Sequence, residues 1–433
     1  MLLLTRRLFG RAGSRDAEWS ESVLSIYIPA FILAVGVNVA APALPLFAKS
    51  FQVDFGMASL TLILNQLGAA LSTIPTGYLV DRIGARKIVL LGPVMTALAS
   101  LLMAFAHSFP ELLVYRFLEG WAMQMWMVGR LEMITARGGS NRGTIIGGMA
   151  GMDNAGRLMG AAVGGFLAAA WGLRAPFIVY AVLAIAAILP SFFMMSDVRR
   201  SRSSTAEVRP VVSTRQAAGA LLTTPILLLL AGQFMASMTR GSLIGGTLDL
   251  YAVYAYGIDA KTLGTLAAVG GLLGLPLVFT VGRLMDRFGR RTIVVPGFTL
   301  LGAALSLMAV SAFGHWPFAG YVAAFLFARV SINSVSGTMQ VLSSDSAPPE
   351  FRGLFLGVMS LCRQIGAFLS PAMFAVLSQA LGFGSSFETL SLMSLGTAAL
   401  MWKQLSHAGA ESAPAQPQPE GQSASGMVAA IRG

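Results

Sequence analysis

Apolar runs of about 20 residues, the length that crosses a bilayer, recur from end to end of this chain, separated by short charged or Gly/Pro-containing breaks. They predict helices near 23–47, 57–80, 87–107, 111–135, 144–170 and 173–195. A polar stretch from Asp197 to Gln216 follows, and a second set appears near 220–247, 262–284, 292–313, 318–342, 353–379 and 384–404. The pattern predicts an all-α integral membrane protein with twelve transmembrane helices in two six-helix bundles, 23–195 and 220–404. The first bundle is preceded by a cytoplasmic segment, 1–22, and joined to the second by a cytoplasmic linker, 196–219. The stretch 405–433, rich in Ala, Pro, Gln, Ser and Gly, reads as a disordered cytoplasmic tail.

Repetition supports two pseudo-symmetric bundles. Gly77, Leu79, Asp81, Arg82, Gly84, Arg86 and Lys87 are echoed by Gly282, Leu284, Asp286, Arg287, Gly289 and Arg291, with Asp81 and Asp286 separated by 205 positions. Arg142, Gly143 and Gly147 are echoed by Arg352, Gly353 and Gly357 at a separation of 210. Two anchors at nearly one offset indicate duplicated halves, a common construction among secondary transporters.

Composition agrees with the pattern. Of 433 residues 55% are hydrophobic and 11% charged, and the mean hydropathy is +0.71, whereas soluble domains carry roughly 25% charged residues. The net charge of +11 does not point to nucleic acid, because the basic residues sit in short loops between apolar runs. Arg82, Arg86, Lys87, Arg137, Arg142, Arg199, Arg200, Arg283, Arg287, Arg290 and Arg291 fall in alternate connections, and the others hold little beyond Lys49, Arg174 and Lys261. By the positive-inside rule the arginine-rich side and both termini are cytoplasmic, in a membrane expected to be the bacterial inner membrane. Leu2 to Leu4 precede Arg6 and Arg7, the reverse of a signal peptide, so the first helix is expected to serve for insertion. The one cysteine, Cys362, excludes an internal disulfide.

The loop around Asp81 resembles the loop 2–3 signature of the major facilitator superfamily, G-x-L-x-D-R-x-G-R-K, with Ala85 in place of an arginine. The resemblance implies a conformational latch made of Gly77, Asp81, Arg82, Gly84 and Arg86, of Asp286, Arg287, Gly289 and Arg291, and of Arg142 and Arg352. Asp81 would face the start of helix 11 near Arg352 to Phe355, and Asp286 the start of helix 5 near Gly143. A carboxylate at a helix N-terminus gains about 0.3–1 kcal/mol. Arg116, Phe117 and Gly120 resemble the superfamily's helix 4 motif R-F-x-x-G, tied in drug/proton antiporters to proton coupling. Glu119, three residues on, can pair with Arg116. Gly147, Gly156, Gly160, Gly164 and Gly165 make a smooth face for close helix packing and resemble the antiporter signature of helix 5, with Ala161 where that signature has proline. Pro42 and Pro45 resemble the helix 1 pattern of twelve-helix drug exporters, in which an acidic residue often stands where this chain has Asn38.

Ionisable residues at depth form the functional shortlist, because a charge at the bilayer centre costs at least about 2.5–3.5 kcal/mol. Asp153 and Arg157, one turn apart in helix 5, either neutralise each other or serve function. Arg116, Arg157, Arg329 and Arg363 outnumber Glu119 and Asp153, so the pathway between halves is expected to be net positive and to favour anionic or zwitterionic solutes. Asp153, Glu119 and Arg116 are the candidates for proton coupling. Asn38, Asn154, Arg157, Arg329, Asn333, Arg363 and Gln364 are the candidates to line the cavity, and Met123, Met125, Met127 and Met133 could add an adaptable wall. Arg240 and Asp249 read as interfacial, near the outer end of helix 7, and Arg130 and Glu132 as near the cytoplasmic end of helix 4. His107, His315 and His407 fall in loops or the tail, off any midplane relay.

These readings favour proton-coupled efflux of a small amphipathic or anionic compound by alternating access, with proton-coupled or facilitated uptake of an anionic solute as the alternative and a non-transporting sensor behind both. No H-E-x-x-H, G-x-S-x-G or G-x-x-x-x-G-K-[ST] occurs, which argues against an enzyme or an ATP-driven pump. The expected partners are a small-molecule substrate and the lipid bilayer, with no nucleic acid, metal or cofactor and the proton gradient as energy source. The chain is expected to act as a monomer.

Overall fold

The computed structural model describes residues 27–136, 142–194, 223–244, 246–335, 337–348 and 352–411. The expected N-terminal segment, the linker and most of the expected tail lie outside them. Fifteen α-helices are described: α1 Ile28–Ala40, α2 Ala43–Ser50, α3 Phe55–Ile83, α4 Ala85–Ala104, α5 Phe109–Ala136, α6 Arg142–Trp171, α7 Ala175–Met194, α8 Thr224–Ile244, α9 Thr247–Tyr256, α10 Ala260–Phe288, α11 Arg290–Phe313, α12 Phe318–Ser334, α13 Thr338–Asp345, α14 Arg352–Leu381 and α15 Phe383–Glu411. The pairs α1/α2, α8/α9 and α12/α13 are each one broken crossing, which makes twelve crossings in two sets of six. Eight of the described crossings are long and apolar enough to span a membrane on composition alone. Large apolar side chains such as Ile74, Val182, Trp171 and Leu392 stand exposed on the outside, as lipid-facing residues do.

The repeat extends into local geometry. Asp54 caps α3 by accepting from the Met57 amide at 2.7 Å, and Asp259 caps α10 by accepting from Thr262 at 3.4 Å. Hydrogen bonding from Thr262 holds the Asp259 carboxyl below the ordinary carboxylate range. Gly84 and Gly289 end α3 and α10 at φ 89° and 88°, where an L side chain is strained, so both arginine-rich turns need glycine. Each of these pairs keeps the 205-residue separation.

Two boundaries depart from expectation. The seventh crossing does not stop near 247: it bends at Gly246 and continues as α9 to Tyr256. Two glycines in a row read as an end, but Gly246 is a bend within one crossing. Arg240 and Asp249 therefore lie near the middle of that crossing instead of at the interface. The last helix runs past 404 to Glu411, and His407 is helical instead of lying in a tail; Ala408, Ala410 and Glu411 favour helix.

The halves meet where α6 packs on α10 and α3 on α14. At the end opposite the arginine-rich loops this seam is tight. Lys49 Nζ donates to the Val253 carbonyl at 3.0 Å, the Tyr254 hydroxyl to that of Val53 at 2.9 Å, and Gln379 Nε2 to Asp54 Oδ1 at 3.5 Å. Phe55 packs edge-on against Phe383 at 4.8 Å, Phe383 against Tyr251 at 4.9 Å, and Tyr251 against Phe387 at 4.9 Å. A side chain at Gly264 would stand 2.5 Å from the Ala161 carbonyl oxygen. We expect Gly264→Val to force this end open, read as increased labelling of a cysteine placed at Val253 by a membrane-impermeant thiol reagent.

At the arginine-rich end the halves diverge. Across α3 and α14, Thr73 Oγ1 donates to Gln364 Oε1 at 3.2 Å. Beyond it, side chains at Gly77 and Gly357 would meet nothing within 4 Å, and the same holds for Gly151 and Gly282 on the other seam. The molecule holds a cleft that opens at that end and is sealed at the other.

Candidate functional site: a charged cleft between the halves

The glycine run of α6 positions the site by bringing backbones together. Side chains at Gly156 and Gly160 would meet Ala34 at 2.6 Å and Asn38 at 2.8 Å, and one at Gly164 would collide with the Val39 carbonyl. Those three pack on α1, while Gly165 faces α10 at 2.6 Å from the Ala260 carbonyl. Asn38 thus sits at the α1/α6 contact, its amide donating to the Ala34 carbonyl at 2.7 Å. Arg142, Gly143 and Gly147 lie in α6 and Arg352 in α14, but the side chains and surroundings at these positions are outside what is described.

Three ion pairs stand at depth. In α5, Arg116 binds Glu119, while Asn65 of α3 donates to Glu119 Oε2 at 3.2 Å and Arg116 Nε to the Thr61 carbonyl at 3.3 Å. Glu119 is only 4% exposed, and the close fit of Gly120 and Gly68 between α3 and α5 holds the pair in place. In the second half Arg329 of α12 binds Asp249 of α9.

The third pair corrects the sequence reading. Asp153 does not bind Arg157 but Arg130 of α5, at 3.5 Å. Arg130 is 4% exposed and stacks on the Trp126 ring at 3.9 Å. Helix geometry allows a pairing one turn along α6, yet Arg130, buried without another carboxylate, draws Asp153 to itself. Arg157 is left facing the cleft, exposed to solvent although it lies mid-helix.

Beside Arg157 two more guanidinium groups converge. Arg240 of α8 donates through Nη1 to the Val335 carbonyl at 3.1 Å, at the break between α12 and α13. Arg363 of α14 is exposed and reaches the Ser360 hydroxyl at 3.5 Å. Arg157 lies in electrostatic range of Asp153 and Arg329, and Arg240 in range of Arg157 and Arg363. Among the described residues none of Arg157, Arg240 and Arg363 forms an ion pair with a carboxylate. Gln364 accepts from Thr73, which accepts from Gln124 at 3.2 Å. Asn333 donates to the Arg329 carbonyl at 3.0 Å and packs on Gly274. Asn154 is half-buried beside Asp153 and has a partner of its own.

Arg130, Arg240, Asp249, Asn65 and Thr73 escaped the sequence shortlist. Arg240 and Asp249 were misplaced in depth by the glycine pair; Arg130 had one local signal, Trp126 a turn before it.

The side chains at the starts of α6 and α14, which the expected latch would involve, lie outside those described. Asp81 is exposed and has a partner of its own, and Asp286, 72% exposed, pairs with Arg290 of its own half at 2.5 Å. Arg290 also holds Asp345 at 2.9 Å. Arg82 lies over the Tyr78 ring at 4.8 Å, Arg287 over Phe288 at 5.3 Å and Arg291 over Trp402 at 3.6 Å; Arg86 is half-buried.

Comparison with known proteins adds independent information. A family profile described as Major Facilitator Superfamily matches residues 26–371. The chain is 24% identical over 350 residues to the class B tetracycline resistance protein of Escherichia coli, covering 79% of this chain and 85% of that one. It is 25% identical over 399 residues to the multidrug resistance protein MdtG of Citrobacter koseri, covering 90% and 96%. It is 26% identical over 306 residues to the quinolone resistance protein NorA of Staphylococcus aureus, covering 69% and 75%. Among solved structures, a D-xylose-proton symporter superposes with a TM-score of 0.71 at 15% identity, over 89% of this chain and 97% of that one. A bacterial homologue of the iron transporter ferroportin in an inward-facing state superposes with a TM-score of 0.69 at 16% identity, over 89% and 98%.

Proposed function

This chain belongs to the major facilitator superfamily, and from that premise we propose that it is a secondary active exporter, exchanging protons for a small amphipathic or anionic compound by alternating access. The observation that carries the reading is the cleft itself, sealed at one end by Lys49, Tyr254 and the aromatic cluster and open at the other, with ion pairs and unpaired arginines at its depth. The arginine-rich loops support a cytoplasmic position for the open end, with both termini on that side of a bacterial inner membrane. The relatives named for resistance to tetracycline, quinolones and multiple drugs support outward transport.

Two carboxylates can carry the proton, and their surroundings divide the work. Glu119, buried and held by Arg116 and Asn65, is a structural anchor of the coupling region. The Asp153 side chain is 32% exposed, held only at 3.5 Å by Arg130, so protons from the cleft reach it. Arg157 and Arg363, with Asn38, Asn154, Asn333 and Gln364, form the substrate region, and Arg329, paired with Asp249, holds its frame. Asp81 and Asp286 serve as the latch, closing on the opposing helix starts when the cleft turns outward. Each half supplies part of one pathway, so a monomer in the bilayer suffices.

The test is transport in everted membrane vesicles. An imposed inside-acid gradient is expected to drive accumulation of tetracycline or a quinolone, and a protonophore to abolish it. Gradient-driven accumulation of a labelled organic anion in right-side-out vesicles, with no flux in everted ones, would establish uptake instead, the reading that the excess of deep arginines favours.

A further inference from the structure

The one-turn spacing of Asp153 and Arg157 on α6 would let the two neutralise each other. The structure prevents it. Asp153 is turned to Arg130, whose Nε and Nη1 have no hydrogen-bond partner although buried, so Asp153 is the one anion offsetting that guanidinium among the described residues. Of the other charged groups nearby, Glu119 is held by Arg116 and Asn65, Asp249 by Arg329, and Glu132 has a partner of its own. Among the described residues no carboxylate pairs with Arg157, Arg240 or Arg363.

Helix packing brings these three together. A side chain at Gly241, next to Arg240, would stand 2.8 Å from Ala367 of α14, and one at Gly366, close along α14 to Arg363, would stand 2.8 Å from Ser237 of α8. Across the cleft, Leu158 of α6, next to Arg157, lies 3.3 Å from the position a side chain would take at Gly271 of α10. Like charges converging at the depth of a bilayer repel strongly. A monoanion would leave two of the three charges uncompensated; a dianion with its charges a few bonds apart spans the cleft and leaves one. Guanidinium forks match carboxylate and phosphate oxygens in geometry.

We propose that Arg157, Arg240 and Arg363 form the subsite for a small organic dianion, and that Arg130 is a positioning residue that keeps this subsite cationic by withholding Asp153 from Arg157. The proposal rests on the transport reading and names its substrate class. Because Arg157 comes from the first half and Arg240 and Arg363 from the second, one dianion engages both halves, and its binding energy acts on the equilibrium between facings.

The experiment measures equilibrium binding to the purified full chain in detergent, with no gradient, by quenching of intrinsic tryptophan fluorescence. The probes are terephthalate, its monoamide and its diamide, with phenyl phosphate to separate a phosphate from a dicarboxylate preference. At least one dianion is expected to bind about tenfold or more tighter than the monoamide, as guanidinium–anion contacts do, and the diamide not to bind. Arg157→Gln and Arg363→Gln, both at cleft-exposed positions, should each remove most of that preference. Arg130→Gln should weaken dianion binding by about tenfold as Asp153 turns to Arg157, and Asp153→Asn in that background should restore it. Equal binding along the charge series, or no saturable binding of either dianion, overturns the subsite. A binding loss in Arg130→Gln that Asp153→Asn does not rescue overturns the positioning role. Dianion binding without gradient-driven flux would sink the transport reading alone, while proton-driven drug flux with a flat charge series would sink the subsite alone.

Discussion

Asp153→Asn is expected to abolish transport driven by a pH gradient while exchange of substrate across a membrane with no gradient continues near the parent rate. Asparagine keeps the shape of the side chain and resembles the protonated acid, so the protein is left in one protonation state. It cycles with substrate but no longer gains from the gradient. An amide oxygen can still accept from Arg130 at the 3.5 Å contact, but the buried guanidinium then loses its counter-ion, so a lower unfolding midpoint is expected beside the retained exchange. In everted vesicles the accumulation ratio should fall to unity while counterflow persists. If uphill accumulation survives, the proton passes through Glu119, which would then have to leave Arg116 and Asn65 during each cycle.

The choice of Asp153 over Glu119 illustrates what was legible in the sequence. Helix number, the repeat and the presence of deep charges follow from local pattern, because a bilayer enforces apolar runs of set length and any ion within them stands out. The Arg116–Glu119 pair was legible for the same reason, being three residues apart on one helix. Partners on different helices were not. Asp153 binds Arg130 across the α5/α6 contact, and Arg329 binds Asp249 across the α9/α12 contact. No periodicity within a helix encodes which neighbour it will meet. Depth failed where a break was taken for an end: Gly246 adopts φ 102° and lets the crossing bend and go on, which carries Arg240 and Asp249 inward.

A buried pair and an exposed arginine should answer differently to the same substitution. Arg329→Leu is expected to destabilise the protein by about 3–5 kcal/mol, because it leaves Asp249 buried without a counter-ion. Asp249 is 9% exposed, which leaves little water to take up the charge. The loss should appear as a lower midpoint in thermal unfolding of the detergent-solubilised protein. Asp249→Leu combined with Arg329→Leu should recover most of it, since two apolar side chains of similar bulk remove both the charge and its desolvation cost. Arg157→Leu, at a cleft-exposed position, should leave the midpoint close to that of the parent and act on substrate binding instead. If Arg329→Leu unfolds no earlier than Arg157→Leu, then Asp249 finds water or a proton in the cleft, and Arg329 belongs with the arginines that face the substrate instead of with the framework that holds them.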